Sequence, residues 1–132
     1  MNINPRFLSY DDIILIHDEE IILSGGATGL RNPNGIKSAI GAVKATFNDK
    51  YLMDIFEMAA TYLYSLVMNH PFVDGNKRVA LASSITFLLI NGFEIDENHP
   101  EEFADLVLDV VRHKLSKDDL IEFMRSRSYK PG

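Results

Sequence analysis

The chain has 132 residues, 46% hydrophobic and 24% charged, enough to bury the core of a single domain over residues 1–132 without covalent staples. It has no cysteine, which excludes disulfides and thiolate metal sites and fits a reducing, cytoplasmic setting. A formal charge of -6 and a pI near 5.1 argue against a broad nucleic-acid surface, and neither the opening "MNINPRFLSYDD" nor any apolar run has the make-up of a leader or a membrane span.

Ser9 followed by Asp11 and Asp12 predicts a helix start, and Ile13, Ile14, Ile16, Ile21 and Ile22 carry that helix to the stop signal "SGG". The next segment, "GGATGLRNPNG" from Gly25 to Gly35, is dense in Gly, Asn and Pro, which rules against regular helix and predicts an exposed loop or short hairpin. Ile36, Ala39, Ile40, Val43 and Phe47 recur at helical spacing and predict a second helix from Ile36 to about Phe47. A third, from about Tyr51 to Asn69, is apolar on nearly every face, the mark of a helix buried in a bundle. After the polar interruption "NHPFVDGNKR", a fourth starts near Asn76 or Lys77 and runs through "VALASSITFLLI" to Asn91 and Gly92. "FEID" reads as a short extended piece, with no alternating strand runs elsewhere. Pro100 with Glu101 and Glu102, and then Ser116, open two amphipathic outer helices. The sum is one compact all-α domain whose third and fourth helices form the core pair.

The interruption between those two helices concentrates the chemistry. A helix N-terminus offers unpaired N–H groups and roughly half a positive charge, so an anion is favoured there before any side chain acts. Gly75 lets backbone approach a ligand; Asn76, Lys77 and Arg78 add a donor and two cations, which suits a di- or triphosphate. Asp74 offers a hard oxygen ligand, sufficient for a Mg²⁺ whose remaining ligands are phosphate oxygens and water. His70 has the near-neutral chemistry needed to take a proton from a hydroxyl. Taken singly these residues have plainer explanations: a capping histidine, turn and cap residues at Asp74 and Asn76, solvated cations. Their convergence within His70–Arg78 favours phosphate-centred transfer to a hydroxyl. Phe72 reads as a plug anchoring the loop in the core. His17 with Asp18 invites a metal-phosphohydrolase reading, but further His and Asp ligands are missing around them, and a structural or capping role is favoured.

These residues also carry a family resemblance. "HPFVDGNKR" resembles the Fic/Doc signature His-x-Phe-x-Asp/Glu-Gly-Asn-Gly/Lys-Arg with every fixed position filled, and "IHDE", "GGATGLRNPNG" and "FLLINGF" resemble the short death-on-curing branch. The resemblance implies a helical bundle with a short flap, His70 as the base, Asp74 on Mg²⁺, and Gly75, Asn76, Lys77 and Arg78 around the phosphates of ATP. It implies that Gly29, Leu30 and Arg31 belong to the flap that aligns the target backbone. Lys77 stands where nucleotidyl-transferring members have a second Gly, and Leu81 where they have a second Arg. In the Doc branch these changes accompany γ-phosphoryl transfer, which implies a toxin acting as a protein kinase on a threonine of elongation factor Tu and arresting translation. The alternatives are AMP transfer on the same scaffold, or a catalytically silent corepressor that only binds an antitoxin. The inhibitory Ser/Thr-x-x-x-Glu-Gly/Asn run of many relatives is absent, so control is expected in trans, from a Phd-type antitoxin whose C-terminal segment folds into a groove.

Overall fold

The computed structural model describes residues 4–132; the first three residues of the stretch read for a leader lie outside them. Six α-helices account for the architecture among the described residues: α1 Tyr10–Ser24, α2 Pro33–Val43, α3 Ile55–Asn69, α4 Asn76–Ile90, α5 Pro100–Val111 and α6 Lys117–Arg127. None is long and apolar enough to cross a membrane.

Local chemistry explains most of the boundaries. Ser9 and Asp12 form a reciprocal capping box at α1, with Ser9 Oγ accepting from the Asp12 N–H and Asp12 Oδ2 accepting from the Ser9 N–H. Asp54 and Glu57 do the same for α3, and Ser116 and Asp119 for α6. α1 stops at Gly25, whose φ of 78° breaks the helix while its N–H still reaches the Ile21 carbonyl.

Two expected boundaries are corrected. α2 ends at Val43 rather than near Phe47, and α3 begins at Ile55 rather than Tyr51, because an antiparallel hairpin intervenes, β1 Thr46–Phe47 with β2 Lys50–Tyr51. Asn48 and Asp49 sit in the left-handed region at φ 51° and 62°, the two-residue turn that matches strand twist and that Asn and Asp tolerate best. Pro33–Gly35, expected in the loop, forms the first turn of α2, since Pro at a helix start loses no intrahelical bond. Gly35 is needed there for closeness: a Cβ would come within 3.1 Å of the Asn69 Cβ and 3.2 Å of the Pro71 Cβ.

The extended piece after α4 is β3, Glu94–Ile95, and its partner is one that no strand signal announced, β4 Ser128–Tyr129 at the C-terminus. α3 and α4 pack as the core pair, with Met58, Tyr62, Leu63 and Leu66 of α3 and Val79, Phe87 and Leu88 of α4 fully buried. Small residues let the two backbones approach: Ala59, Ala60 and Ala80 are buried, and Ser84 Oγ donates to the Ala59 carbonyl at 2.7 Å. α2 and α6 cover α3, α1 covers α4, and α5 touches both. This frame leaves the α3–α4 connection at one end of the core pair, beside the end of α1.

Candidate active site

The connection is built as a rigid turn. α3 terminates at His70, a non-glycine residue in the left-handed region (φ 48°, ψ 57°), followed by Pro71, which cannot continue a helix. Phe72 is 2% exposed and lies flat on the ring of His17 from α1, centroids 3.7 Å apart and planes 4° from parallel. The plug expected at Phe72 is therefore real, and its seat is an imidazole. Asn76, 6% exposed, closes the turn: its Oδ1 accepts from the Phe72 N–H at 2.9 Å and its Nδ2 donates to the Phe72 carbonyl at 2.8 Å. The same Nδ2 stands 3.1 and 3.3 Å from the two ring nitrogens of His70, so one amide ties the loop and faces the histidine.

α4 is entered through Gly75 (φ 79°), which has no side chain to cap it and so leaves the first-turn N–H groups from Asn76 on without a capping side chain. Asp74 stands just outside. Its Oδ2 accepts from the Ala27 N–H at 3.1 Å and its Oδ1 from the Gly75 N–H at 2.8 Å, with Arg78 Nη2 4.0 Å from Oδ1. The Ala27 hydrogen bond and then that of Gly75 hold this carboxyl below its ordinary range; desolvation opposes them less than either bond, and the nearby Arg78 and His17 add smaller lowering effects. It is an anion at neutral pH. Arg78 Nη1 donates to the Gly25 carbonyl at 2.8 Å, so the guanidinium is fixed between the end of α1 and Asp74. Lys77 is exposed and makes no ion pair among the described residues.

The loop after α1 lies along this turn. Leu30 bridges Phe72 in antiparallel fashion, the Val73 N–H donates to the Gly29 carbonyl at 3.0 Å, and the N–H groups of Arg31 and Asn32 both donate to the Pro71 carbonyl. Arg31 is carried to the histidine, its Nη1 3.1 Å from His70 Nδ1. Gly29, Leu30 and Arg31 thus stand against the motif.

An open pocket of about 310 Å³ collects the polar groups: His70, Asp74, Gly75, Asn76 and Lys77 line it, against an apolar wall of Val67, Val73 and Val111. A neighbouring recess of about 330 Å³ adds Arg78 to Asp74–Lys77. Leu81 faces a third, apolar hollow beside Lys77 and Arg78, closed by Pro100, Ala104, Val107 and Leu108 of the α5 region. No group of three or more His, Cys, Asp or Glu side chains among the described residues could cage a metal. One carboxylate whose oxygens each accept a single N–H keeps lone pairs free, which fits a hard cation that arrives with phosphate and water ligands.

The structural role favoured for His17 is the one it fills, but its partners Phe72 and Asp74 were not foreseen, nor was the backbone contribution of Gly25–Ala27 within the expected exposed loop. His17 falls between Ile13 and Ile21 at helical spacing, so its place on a core-facing stripe was the available signal: a buried polar ring needs a partner. For Gly25–Ala27 there was none, because backbone groups contribute there.

A family model described as the Fic/DOC family matches residues 7–88. The chain is 33% identical over 120 residues to the protein named Protein kinase doc of Escherichia phage P1, covering 91% of this chain and 94% of that protein. It is 34% identical over 118 residues to the Toxin Doc of Mycolicibacterium smegmatis, covering 87% of this chain and 88% of that protein.

Proposed function

This chain belongs to the Fic/DOC family, and on that premise we propose that it is the toxin of a toxin–antitoxin module and acts as a protein kinase. The substrate pair is Mg²⁺-bound ATP and a threonine hydroxyl of a translation factor, elongation factor Tu, in the cytoplasm. The observation that carries this reading is the single pocket wall on which His70, Asp74, Gly75, Asn76 and Lys77 meet at the N-terminus of a core helix.

His70 takes the proton of the target hydroxyl as its oxygen attacks the γ-phosphorus; the bond to the β–γ bridging oxygen breaks and ADP leaves. The uncapped first turn of α4, Lys77 and Arg78 meet the phosphate charge, and Arg78 is pre-set by its bond to the Gly25 carbonyl. Asn76 keeps the turn closed and its remaining N–H toward the base and phosphate region. Asp74, ionised by its backbone donors, is the residue that would hold Mg²⁺, which supplies neutralisation of the phosphate oxygens when bound. Leu81 makes the wall beyond Arg78 apolar where a second arginine would clamp a triphosphate, and with Lys77 this supports γ- over α-phosphoryl transfer. Gly29, Leu30 and Arg31 align the target segment by strand-like pairing. A Phd-type antitoxin restrains the toxin through its C-terminal segment, consistent with the lack of an inhibitory motif in the chain itself.

Incubation with elongation factor Tu and ATP labelled at either the α or the γ position tests the reading. Label is expected on threonine from the γ position alone and is expected to vanish in His70→Ala. Transfer from the α position instead would make the protein an AMP transferase, and growth arrest undiminished by His70→Ala would leave a binding module.

A further inference from the structure

His17 lies on α1, 57 residues before Asp74, is 1% exposed, and lines neither of the polar pockets described above. Its Nε2 stands 2.7 Å from the Asp74 carbonyl oxygen. A carbonyl only accepts, so Nε2 carries the proton and donates. The ring face is laid on Phe72 at 3.7 Å, and a Cβ on Gly75 would come 3.4 Å from Nε2. One imidazole therefore contacts Phe72 and Asp74 and leaves little room for a side chain at Gly75.

We propose that His17 is a positioning residue that aims the Asp74 carboxylate through the Asp74–Gly75 peptide plane. In a trans peptide the C=O and the following N–H point in opposite directions on one rigid plane. His17 fixes the carbonyl side; the opposite side is the Gly75 N–H, which donates to Asp74 Oδ1 at 2.8 Å. Rotation of this plane would withdraw the Gly75 donor from the carboxylate and leave the carboxylate free to turn. Phe72 stacking prevents the imidazole from following such a rotation, so the direction set by α1 is imposed on the loop. This inference rests on the reading of Asp74 as the Mg²⁺ ligand given above.

The test compares His17→Gln with His17→Met in the full chain. Both lose the ring, but only Gln places a donor at the position of Nε2. Mn²⁺ is titrated in the presence of ADP and followed by electron paramagnetic resonance, and the Gly75 amide is followed by NMR without metal or nucleotide. His17→Met is expected to raise the Mn²⁺ midpoint about tenfold, as loss of a ligand's supporting hydrogen bond does, with Gln returning it to within about twofold. The Gly75 amide proton should move upfield and exchange faster in Met and not in Gln. Should the Met variant fail to fold, His17→Phe, which keeps the stack and lacks the donor, replaces it. Equal Mn²⁺ midpoints and equal Gly75 signals for the donor and donor-less variants would overturn the inference, while Asp74→Asn still raised the midpoint. If Asp74→Asn itself left the midpoint unchanged, the ligand reading of Asp74 would fall, and the Gly75 amide alone would decide the role of His17.

Discussion

Arg31 Nη1 stands 3.1 Å from His70 Nδ1, so the loop after α1 places a permanent cation on the lone pair of one nitrogen of the proposed base. A guanidinium has donors and no acceptor, which makes Nδ1 the acceptor and puts the ring proton on Nε2. On the proposed function, a target that docks against Gly29–Arg31 displaces Arg31 from Nδ1, the nitrogen left to take the hydroxyl proton, where the Asn76 amide is the other neighbour. Arg31→Ala should therefore raise the target-free release of γ-phosphate about fivefold, the rate equivalent of a hydrogen bond worth about 1 kcal/mol. An unchanged or slower release would mean that Arg31 does not restrain the base.

His70 holds a left-handed conformation that glycine adopts freely and most side chains do not. His70→Gly should abolish phosphoryl transfer, a loss of about 10²–10⁴ for a general base, while stability to urea is unchanged or higher by up to about 1 kcal/mol. A variant that lost activity and unfolded more readily would show the histidine to be structural.

Gly26, at φ 120°, is packed against the site: a Cβ would come 2.5 Å from Asp74 Oδ2 and 3.0 Å from Arg78 Nη2. Gly26→Ala should displace the Ala27 N–H, the leading cause of the lowered Asp74 titration, and shift that carboxyl up toward its ordinary 3.8. The sign for stability follows. A carboxyl lowered in the fold supports the folded state above its unfolded value, and that support fades as pH falls through the lowered value. Carbon-detected NMR titration of Asp74 in the two proteins measures the shift, and an identical midpoint would contradict it.

Tyr62 is fully buried between α3 and the segment before α1, where its hydroxyl accepts from the Leu8 N–H at 3.1 Å and donates to the Leu8 carbonyl at 3.4 Å. Tyr62→Phe leaves both backbone groups unpaired and should cost about 1–3 kcal/mol in urea unfolding. Burial pushes the phenol up from 10.0 to about 12, so the wild type should lose stability as pH rises across that interval, and the phenylalanine variant should lose less.

The two core helices, the caps at Ser9 and Ser116 and the polar turn between α3 and α4 were legible because each is written in neighbouring residues: helical apolar spacing, a cap three residues from its partner, a glycine at a helix start. The hairpin at Thr46–Tyr51 was not, because its strands are two residues long and too short for alternation to appear, and Thr46, Phe47 and Tyr51 were absorbed into the flanking helical patterns, which left only Asn48–Lys50 between them. β4 was hidden for the same reason, since Ser128–Tyr129 becomes a strand only by meeting Glu94–Ile95.

The sequence by itself determined an all-helical frame and a nine-residue stretch, His70–Arg78, bearing a histidine, a carboxylate and two cations at one helix start. Only the tertiary structure decided what holds that stretch in shape: the ring of His17 under Phe72 and Asp74, the Ala27 N–H on the carboxylate, the Gly25 carbonyl on Arg78, and Arg31 on His70. Those partners lie tens of residues away in the chain, and two of them are backbone atoms that every residue possesses. Their roles come from where the packing of α1 against α4 brings them, which no local pattern of side chains records.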